Sequence, residues 1–196
     1  MIATGNEGKV REIEELFRGV GVLFRCLLDF PYVDDVPETG STFEENAILK
    51  ARGYAAQTGL WALADDSGLE ITALNNAPGV LSARYGGDGI GFDEKMSMLL
   101  GEMELAENRS RDARFVCSMA LANETGEILL TSAGVCDGQI AHEPRGGRGF
   151  GYDPMFIPDG YDKTFGELAD SVKREISHRA RASRTIIRYL PDFIVV

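Results

Sequence analysis

Hydrophobic residues recur at helical spacing in some parts of the chain and form compact runs in others. A spacing of three or four residues predicts four amphipathic helices, over residues 9–18, 43–59, 93–105 and 177–189. The second helix has the clearest start signal, because Thr42 and Glu45 match a capping box. Asp93 and Ser177 are the predicted caps of the third and fourth helices.

Compact apolar runs between these helices predict strands. They comprise a very short opening strand and strands over residues 22–27, 60–64, 115–122 and 127–137. The strand over residues 60–64 is predicted to be buried and to end at two polar residues, Asp65 and Asp66. The last two strands flank an Asn-Glu-Thr-Gly turn and form a predicted hairpin. Because helices and strands alternate without a repeat or linker, we predict one α/β domain over residues 1–196.

Composition excludes several classes of protein. Hydrophobic residues make up 44% of the chain and charged residues 26%, as in an ordinary globular protein. No apolar run approaches the roughly 18 residues that a membrane helix needs. Residues 1–6 lack the pattern of a signal peptide, so we expect a cytoplasmic protein. The three cysteines are odd in number and form no C-x-x-C pair, which argues against a disulfide framework and a zinc site.

The net charge of −11 disfavours binding to nucleic acid or to an anionic membrane, and we expect neither as a partner. A polyanionic substrate therefore needs a local basic region. Six basic residues lie between positions 173 and 188. This stretch supports a nucleic-acid-binding alternative, against which the overall charge argues.

The turn at residues 4–9 has the composition of an anion site. It joins two glycines and two small polar residues to Lys9 at the start of the first predicted helix, where free backbone N–H groups attract phosphate. It is not a Walker A loop, because only two residues separate Gly5 from Gly8 and Val10 replaces the Mg²⁺-binding Ser or Thr. The alternative is an ordinary capped turn with a solvated lysine.

Three carboxylates form the second candidate site. Asp65 and Asp66 are adjacent and repel each other, and a bound cation commonly offsets that repulsion. With Glu38 they offer the oxygen ligands that suit Mg²⁺, and a carboxylate beside such an ion can deprotonate a water. The alternative is a turn in which Asp65 caps the backbone and Asp66 is solvated.

Two later segments have features of a ligand site. Phe150 lies between two glycines, which leave its ring room to stack on a base, whereas the pattern favours Tyr152 as a core residue. Asp153 has two interpretations, as an acceptor from a ring N–H or as the cap of the next turn. His178 and Arg179 begin the last predicted helix, where cations oppose the helix dipole unless an anion or polar ligand lies above them.

Taken together, these segments resemble the inosine triphosphate pyrophosphatase family, the Ham1-like enzymes that hydrolyse non-canonical purine nucleoside triphosphates. Six blocks carry the resemblance, in the family's order, at residues 3–9, 38–47, 64–69, 78–85, 150–154 and 177–179. The resemblance spans almost the whole chain. It implies an elongated mixed β-sheet flanked by helices, two lobes around a central substrate cleft, and a homodimer.

The resemblance also implies the roles of individual residues. The implied reaction converts ITP, dITP or XTP to the monophosphate and pyrophosphate, with Mg²⁺ as cofactor. Asp66 is the implied base and Mg²⁺ ligand, with Glu38 or Asp65 as the second ligand. The implied substrate contacts are Thr4, Gly5, Asn6, Glu7, Gly8, Lys9, Ser67, Phe150, Gly151, Tyr152, Asp153, Lys173, His178 and Arg179.

Two further alternatives stay open at the level of sequence. A Maf-like pyrophosphatase acting on dTTP or UTP has a similar fold, but it lacks the Ser-His-Arg segment at residues 177–179. A non-catalytic nucleotide-binding module could use the same residues without turnover.

Overall fold

The computed structural model describes residues 1–87 and 89–193. Its α-helices in this part of the chain are α1 (Glu7–Leu16), α2 (Phe43–Thr58), α3 (Phe92–Leu105), α4 (Asp170–Ile176) and α5 (His178–Tyr189). Its strands are β1 (Ala62–Ile71), β2 (Asp112–Ala122), β3 (Ile128–Ile140) and β4 (Phe156–Pro158). In residues 1–87 and 89–193, no helix combines the length and the apolar character that crossing a membrane requires.

The four strands form one sheet in the order β1-β2-β3-β4, which confirms the predicted α/β class. β3 and β4 pair antiparallel, with Ile140 opposite Phe156. The predicted hairpin is present as β2 and β3, and the Asn123 side chain accepts hydrogen bonds from the turn's backbone. Ile2 adds isolated parallel bridges to Cys26 and Leu63, which represent the very short opening strand.

The chain forms two compact units, in agreement with the expectation of two lobes. The first unit comprises Met1–Asp66, Cys117–Gly134 and His178–Val196, and the second comprises Ser67–Val116 and Val135–Ser177. In the first unit, small side chains such as Ala47, Ala51 and Ala64 make one of two core clusters, which lets α2 lie close to β1. In the second unit, the rings of Phe115 and Phe156 are 4.6 Å apart and lie in a single larger core.

The structure corrects two predicted strands. The predicted strand over residues 22–27 is wrong, because this segment forms only a bridge at Cys26 and then a 3₁₀ turn, and Leu23 is 99% exposed. The predicted strand over residues 60–64 does not end at the acidic pair. β1 continues through Asp65 and Asp66 to Ile71 and keeps both carboxylates buried.

Three predicted helix starts also change. α3 begins after Gly91, which makes no side-chain cap, so Asp93 lies in the first turn and is not the cap. Ser177 ends a short helix, α4, that the sequence did not predict, and α5 follows at once. α1 begins at Glu7, two residues before its predicted start, because Asn6 accepts a hydrogen bond from the backbone of Lys9.

The predicted capping box of α2 is confirmed. Thr42 Oγ1 accepts from the backbone N–H of Glu45 at 3.1 Å, and the Glu45 carboxylate accepts from the backbone of Ser41 at 2.7 Å and of Thr42 at 3.2 Å. The helix ends at Gly59 in the left-handed conformation, with a φ of 65°.

We expect Thr42→Ala to lower the free energy of unfolding by about 1 kcal/mol, because one helix N–H loses its acceptor. Urea unfolding measures this change. Thr39→Ala, at an exposed position outside the cap, is the matched control. Equal stability of the two variants would contradict a stabilising role for the cap.

Candidate active site

Asp66 is held in the first unit by two side chains of α2. Asn46 Nδ2 donates to Asp66 Oδ2 at 3.1 Å, and Lys50 Nζ donates to Oδ1 at 3.2 Å. Asn46 and Lys50 reach the same carboxylate because residues four apart share one face of a helix. Asp66 is 6% exposed, so it is not the solvated turn residue that the alternative interpretation required.

A second carboxylate contacts the same ammonium group. Lys50 Nζ lies 3.0 Å from Glu38 Oε1, and Glu38 keeps 31% of its side chain exposed. Burial alone would lower the pKa of Lys50, but the carboxylates of Asp66, Asp65 and Glu38 outweigh it and raise that pKa. Lys50 therefore stays a cation between two acidic side chains.

The basicity of Asp66 differs from that of a solvated carboxylate. Burial raises its pKa, the cations of Lys50 and Lys9 oppose the rise, and the Glu38 charge adds to it; the net direction is upward. A carboxylate with a raised pKa is a stronger proton acceptor. Asp66 thus has the property that a general base requires.

Asp65 points to the opposite face of β1 and contacts a different pair of cations. Lys9 Nζ lies 3.3 Å from Asp65 Oδ1, and Arg179 Nη2 and Nε donate to Oδ2 at 2.8 and 3.2 Å. Arg179 Nη1 donates to Glu12 at 2.6 Å. Burial would raise the pKa of Asp65, but Lys9 and Arg179 reverse the effect and hold it well below its usual range. Asp65 is therefore a permanent anion in a chain of ion pairs.

This geometry revises two predicted roles. The side chain of Asp65 has no exposed surface and is enclosed by two protein cations, whereas Glu38 is partly open to solvent, which disfavours Asp65 as the second Mg²⁺ ligand. The guanidinium of Arg179 is 1% exposed and directs its nitrogens to Asp65 and Glu12, which disfavours Arg179 as a substrate contact. The anions that compensate Arg179 at the start of α5 include two carboxylates of the protein itself.

The predicted phosphate loop forms the start of α1. Thr4 Oγ1 accepts from the backbone of Asn6 at 3.2 Å, while Gly5, Asn6 and Glu7 are exposed. A Cβ added at Gly5 would meet no atom within 4 Å, so open space lies beside the loop. Lys9 reaches back to Asp65. A helix N-terminus with open space and an adjacent lysine suits an anionic group.

A second group of predicted residues lies in the second unit. Lys173 Nζ forms a short contact with Asp153 Oδ2 and lies 4.6 Å from the centre of the Phe150 ring. Asp153 Oδ2 also accepts from the backbone of Phe150 at 2.7 Å. A Cβ at Gly149 would come 2.0 Å from that same oxygen, so this turn requires glycine. The turn brings Phe150, Asp153 and Lys173 together, and their role in substrate binding stays a prediction.

The structure disfavours Tyr152 as a substrate contact. Its ring is 3% exposed and packs edge-on against Phe92, and its hydroxyl donates to the backbone oxygen of Ser82 at 2.9 Å. It is the core residue that the sequence pattern favoured. Ser67, in β1, is half-buried, and His178, the first residue of α5, is buried.

Sequence reasoning missed three residues of the first unit, namely Asn46, Lys50 and Glu12. The signal for Asn46 and Lys50 was available, because both interrupt the apolar face that Ala47 and Ala51 give to α2. A polar residue on a buried face needs a hydrogen-bonding partner. Glu12 shares α1 with Lys9, but its partner is 167 positions away in sequence, so no local pattern indicates it.

The residues present fit a Mg²⁺ ion. Mg²⁺ prefers one or two carboxylates, completed by water and substrate phosphate. Glu38 and Asp66 supply two carboxylates that converge on Lys50, and Glu38 is partly open to solvent. Among the residues that the structure describes, no group of three or more His, Cys, Asp or Glu side chains is arranged to hold a metal. A two-carboxylate site is the arrangement that this unit offers.

Comparison with known proteins gives consistent matches over nearly the whole chain. Residues 1–189 match the Ham1 family. The sequence is 45% identical to a dITP/XTP pyrophosphatase of Coxiella burnetii, over 100% of this chain and 98% of that protein. A solved HAM1 protein from Coxiella burnetii superposes with a TM-score of 0.88 at 46% identity, covering 97% of each chain. The Ham1 protein of Staphylococcus aureus gives a TM-score of 0.85 at 36% identity, covering 98% of each chain.

Proposed function

Because the chain belongs to the Ham1 family, we propose that it hydrolyses non-canonical purine nucleoside triphosphates, namely ITP, dITP and XTP. The products are the nucleoside monophosphate and pyrophosphate. The observation that carries the proposal is the setting of Asp66, a buried carboxylate of raised pKa that contacts Lys50 beside Glu38. The full-length relatives named dITP/XTP pyrophosphatase support the substrate class.

In the proposed reaction, Asp66 accepts a proton from the water that attacks the α-phosphorus. The bond between the α-phosphorus and the oxygen bridging to the β-phosphorus breaks, and pyrophosphate leaves. Asn46 and Lys50 fix the orientation of the Asp66 carboxylate before the water arrives. Such preorganisation supplies much of the rate enhancement in reactions that need positioning and charge neutralisation.

The start of α1 is the proposed anchor for the triphosphate. Its exposed backbone at Gly5, Asn6 and Glu7 offers N–H groups, and Lys9 adds a positive charge in the same turn. Lys50 places a second cation beside Asp66. These groups offset part of the repulsion that a chain of net charge −11 exerts on a polyanion.

We assign the proposed Mg²⁺ to Glu38 and Asp66, and not to Asp65, whose side chain has no exposed surface and is enclosed by Lys9 and Arg179. When bound, Mg²⁺ neutralises charge on the triphosphate and polarises the phosphoryl group that is attacked. The ammonium group of Lys50 contacts both carboxylates and so holds Glu38 and Asp66 near each other.

Selection of a 6-oxo purine needs a hydrogen-bond donor directed at position 6, because a 6-amino group would leave that donor unpaired. Of the predicted pair, His178 is the remaining candidate, since Arg179 is engaged by Asp65 and Glu12.

We also propose that the protein acts in the cytoplasm, where nucleoside triphosphates are found, and that it forms a homodimer. Its three free cysteines are compatible with a reducing compartment, and light scattering tests the dimer.

A substrate panel tests the proposed function. We expect pyrophosphate release from ITP, dITP and XTP to exceed release from dATP by roughly 10-fold or more in kcat/KM, the effect of an unpaired donor. EDTA should abolish turnover and added Mg²⁺ should restore it. A preference for dTTP or UTP would instead support a Maf-like enzyme, and nucleotide binding without turnover would support a non-catalytic module.

A further inference from the structure

Asn46 is completely buried and uses both ends of its amide. Its Oδ1 accepts from the backbone N–H of Gly40 at 2.8 Å, and its Nδ2 donates to Asp66 Oδ2 at 3.1 Å. A backbone N–H needs an acceptor and a carboxylate needs a donor, so only one of the two amide orientations satisfies both partners. A side chain with no exposed surface cannot contact substrate, so any effect on the reaction acts through these two partners.

The first of these partners belongs to the segment that carries Glu38. This segment runs along α2, and the backbone of residues 34–40 is hydrogen-bonded to three side chains of that helix. Gln57 exchanges two hydrogen bonds with the backbone of Asp34, at 2.8 and 3.0 Å, and Tyr54 OH accepts from the backbone of Val36 at 3.3 Å. Asn46 makes the third attachment, two residues beyond Glu38. Of these three side chains, Asn46 is the one that also contacts Asp66. Lys50 contacts Asp66 too, but it reaches the segment through the Glu38 carboxylate and not through the backbone.

Gly40 is adapted to this contact. A Cβ at position 40 would lie 2.7 Å from Asn46 Oδ1 and 2.6 Å from the Cβ of Glu45, both closer than van der Waals contact allows. Because residue 40 has no side chain, its backbone can lie this close to α2. The hydrogen bond from Gly40 to Asn46 and the absence of a side chain at position 40 both depend on the same short distance between this backbone and α2.

We propose that Asn46 is a positioning residue that joins Asp66 to the Glu38 segment and holds the two carboxylates in the arrangement that binds Mg²⁺. This inference rests on the proposed function. Residues that orient metal ligands typically change metal affinity or activity by roughly 10–100-fold when they are replaced. Asn46 has the contacts that such a residue requires, one to a proposed ligand and one to the backbone beside the other.

Two substitutions at position 46 distinguish the hydrogen bond to Gly40 from the hydrogen bond to Asp66. Asn46→Ala removes both hydrogen bonds. Asn46→Asp keeps an acceptor for Gly40 but directs a carboxylate oxygen at Asp66 in place of a donor. Gly40→Ala keeps Asn46 but adds a Cβ that would displace the Asn46 amide. This variant tests the same contact if Asn46→Ala does not fold. Gln57→Ala is the matched control, because it frees the far end of the same segment without touching Asp66.

The experiment uses the full chain and two measurements. The first is kcat and KM for ITP with Mg²⁺. The second is the affinity for Mn²⁺, measured by electron paramagnetic resonance in the presence of saturating α,β-methylene ITP, which requires no turnover. We expect Asn46→Ala, Asn46→Asp and Gly40→Ala to lower kcat and Mn²⁺ affinity by roughly 10–100-fold. KM for ITP should change little, and Gln57→Ala should stay close to the wild type.

Two results would overturn the role of Asn46. One is Asn46→Asp with the kcat and Mn²⁺ affinity of the wild type. The other is Gln57→Ala with a loss equal to that of Asn46→Asp, which would show that any loosening of the segment has the same effect. Absence of turnover in the wild-type protein would count against the proposed function instead, and the Mn²⁺ measurement would still compare the variants.

Discussion

Asp66→Asn should lower kcat for ITP by roughly 10²- to 10⁴-fold, the range for loss of a general base. The amide that replaces the carboxylate is not basic, so it cannot accept the proton of the attacking water. Asn46 can still donate to the one remaining oxygen, but that oxygen cannot serve Asn46 and Lys50 as two carboxylate oxygens do. The initial rate of pyrophosphate release measures the loss.

Folding and nucleotide binding should survive this substitution. The variant retains the volume of the side chain and removes a buried charge whose burial is unfavourable, since burial raises the pKa of Asp66. Circular dichroism and binding of α,β-methylene ITP check both properties. Asp137→Asn, at an exposed position on β3, controls for the chemical change itself. Wild-type turnover by Asp66→Asn would remove Asp66 as the base.

The sequence was sufficient to single out the acidic residues of the candidate site, because two adjacent aspartates after an apolar run form a local pattern. Their roles stay predictions. The sequence was insufficient to predict what surrounds these residues. Lys50 lies 16 positions from Asp66 and Arg179 lies 114 positions from Asp65, and such pairs are defined by packing and not by spacing. For the same reason, the sequence left both Glu38 and Asp65 open as the second ligand, whereas the contacts of Asp65 with Lys9 and Arg179 favour Glu38.

The misplaced end of β1 has the same origin. Two adjacent aspartates usually mark a turn, because a strand buries one face and charged groups are costly to bury. Here α1, α2 and α5 each supply a cation to the acidic pair, namely Lys9, Lys50 and Arg179. The strand therefore continues through the pair, and tertiary contacts override the local preference. The capping box of α2 was predicted correctly because all of its partners are within four residues.

Asp65→Asn should lower the free energy of unfolding by about 3–5 kcal/mol at neutral pH, the usual cost of removing one partner from a buried ion pair. Asp65 and Arg179 are each 1% exposed, so Arg179 would keep its charge in the interior after losing one of its carboxylate partners. Lys9 has 16% of its side chain exposed and can turn to solvent. Urea unfolding measures the loss, and Asp137→Asn, at an exposed position, is the control.

The loss of stability in Asp65→Asn should become smaller at acid pH, because the pKa of Asp65 is lower in the folded protein than in the unfolded chain. In the folded protein, Lys9 and Arg179 hold this pKa well below the value of about 4 that the unfolded chain has. The unfolded state therefore binds the proton first as the pH falls, so the stabilisation by Asp65 is complete above about pH 5 and decreases progressively below about pH 4. The difference in stability between the wild type and Asp65→Asn should shrink over that acid range. A difference that is small at pH 7, or that does not change with acid, would mean that the pair with Arg179 contributes little to folding.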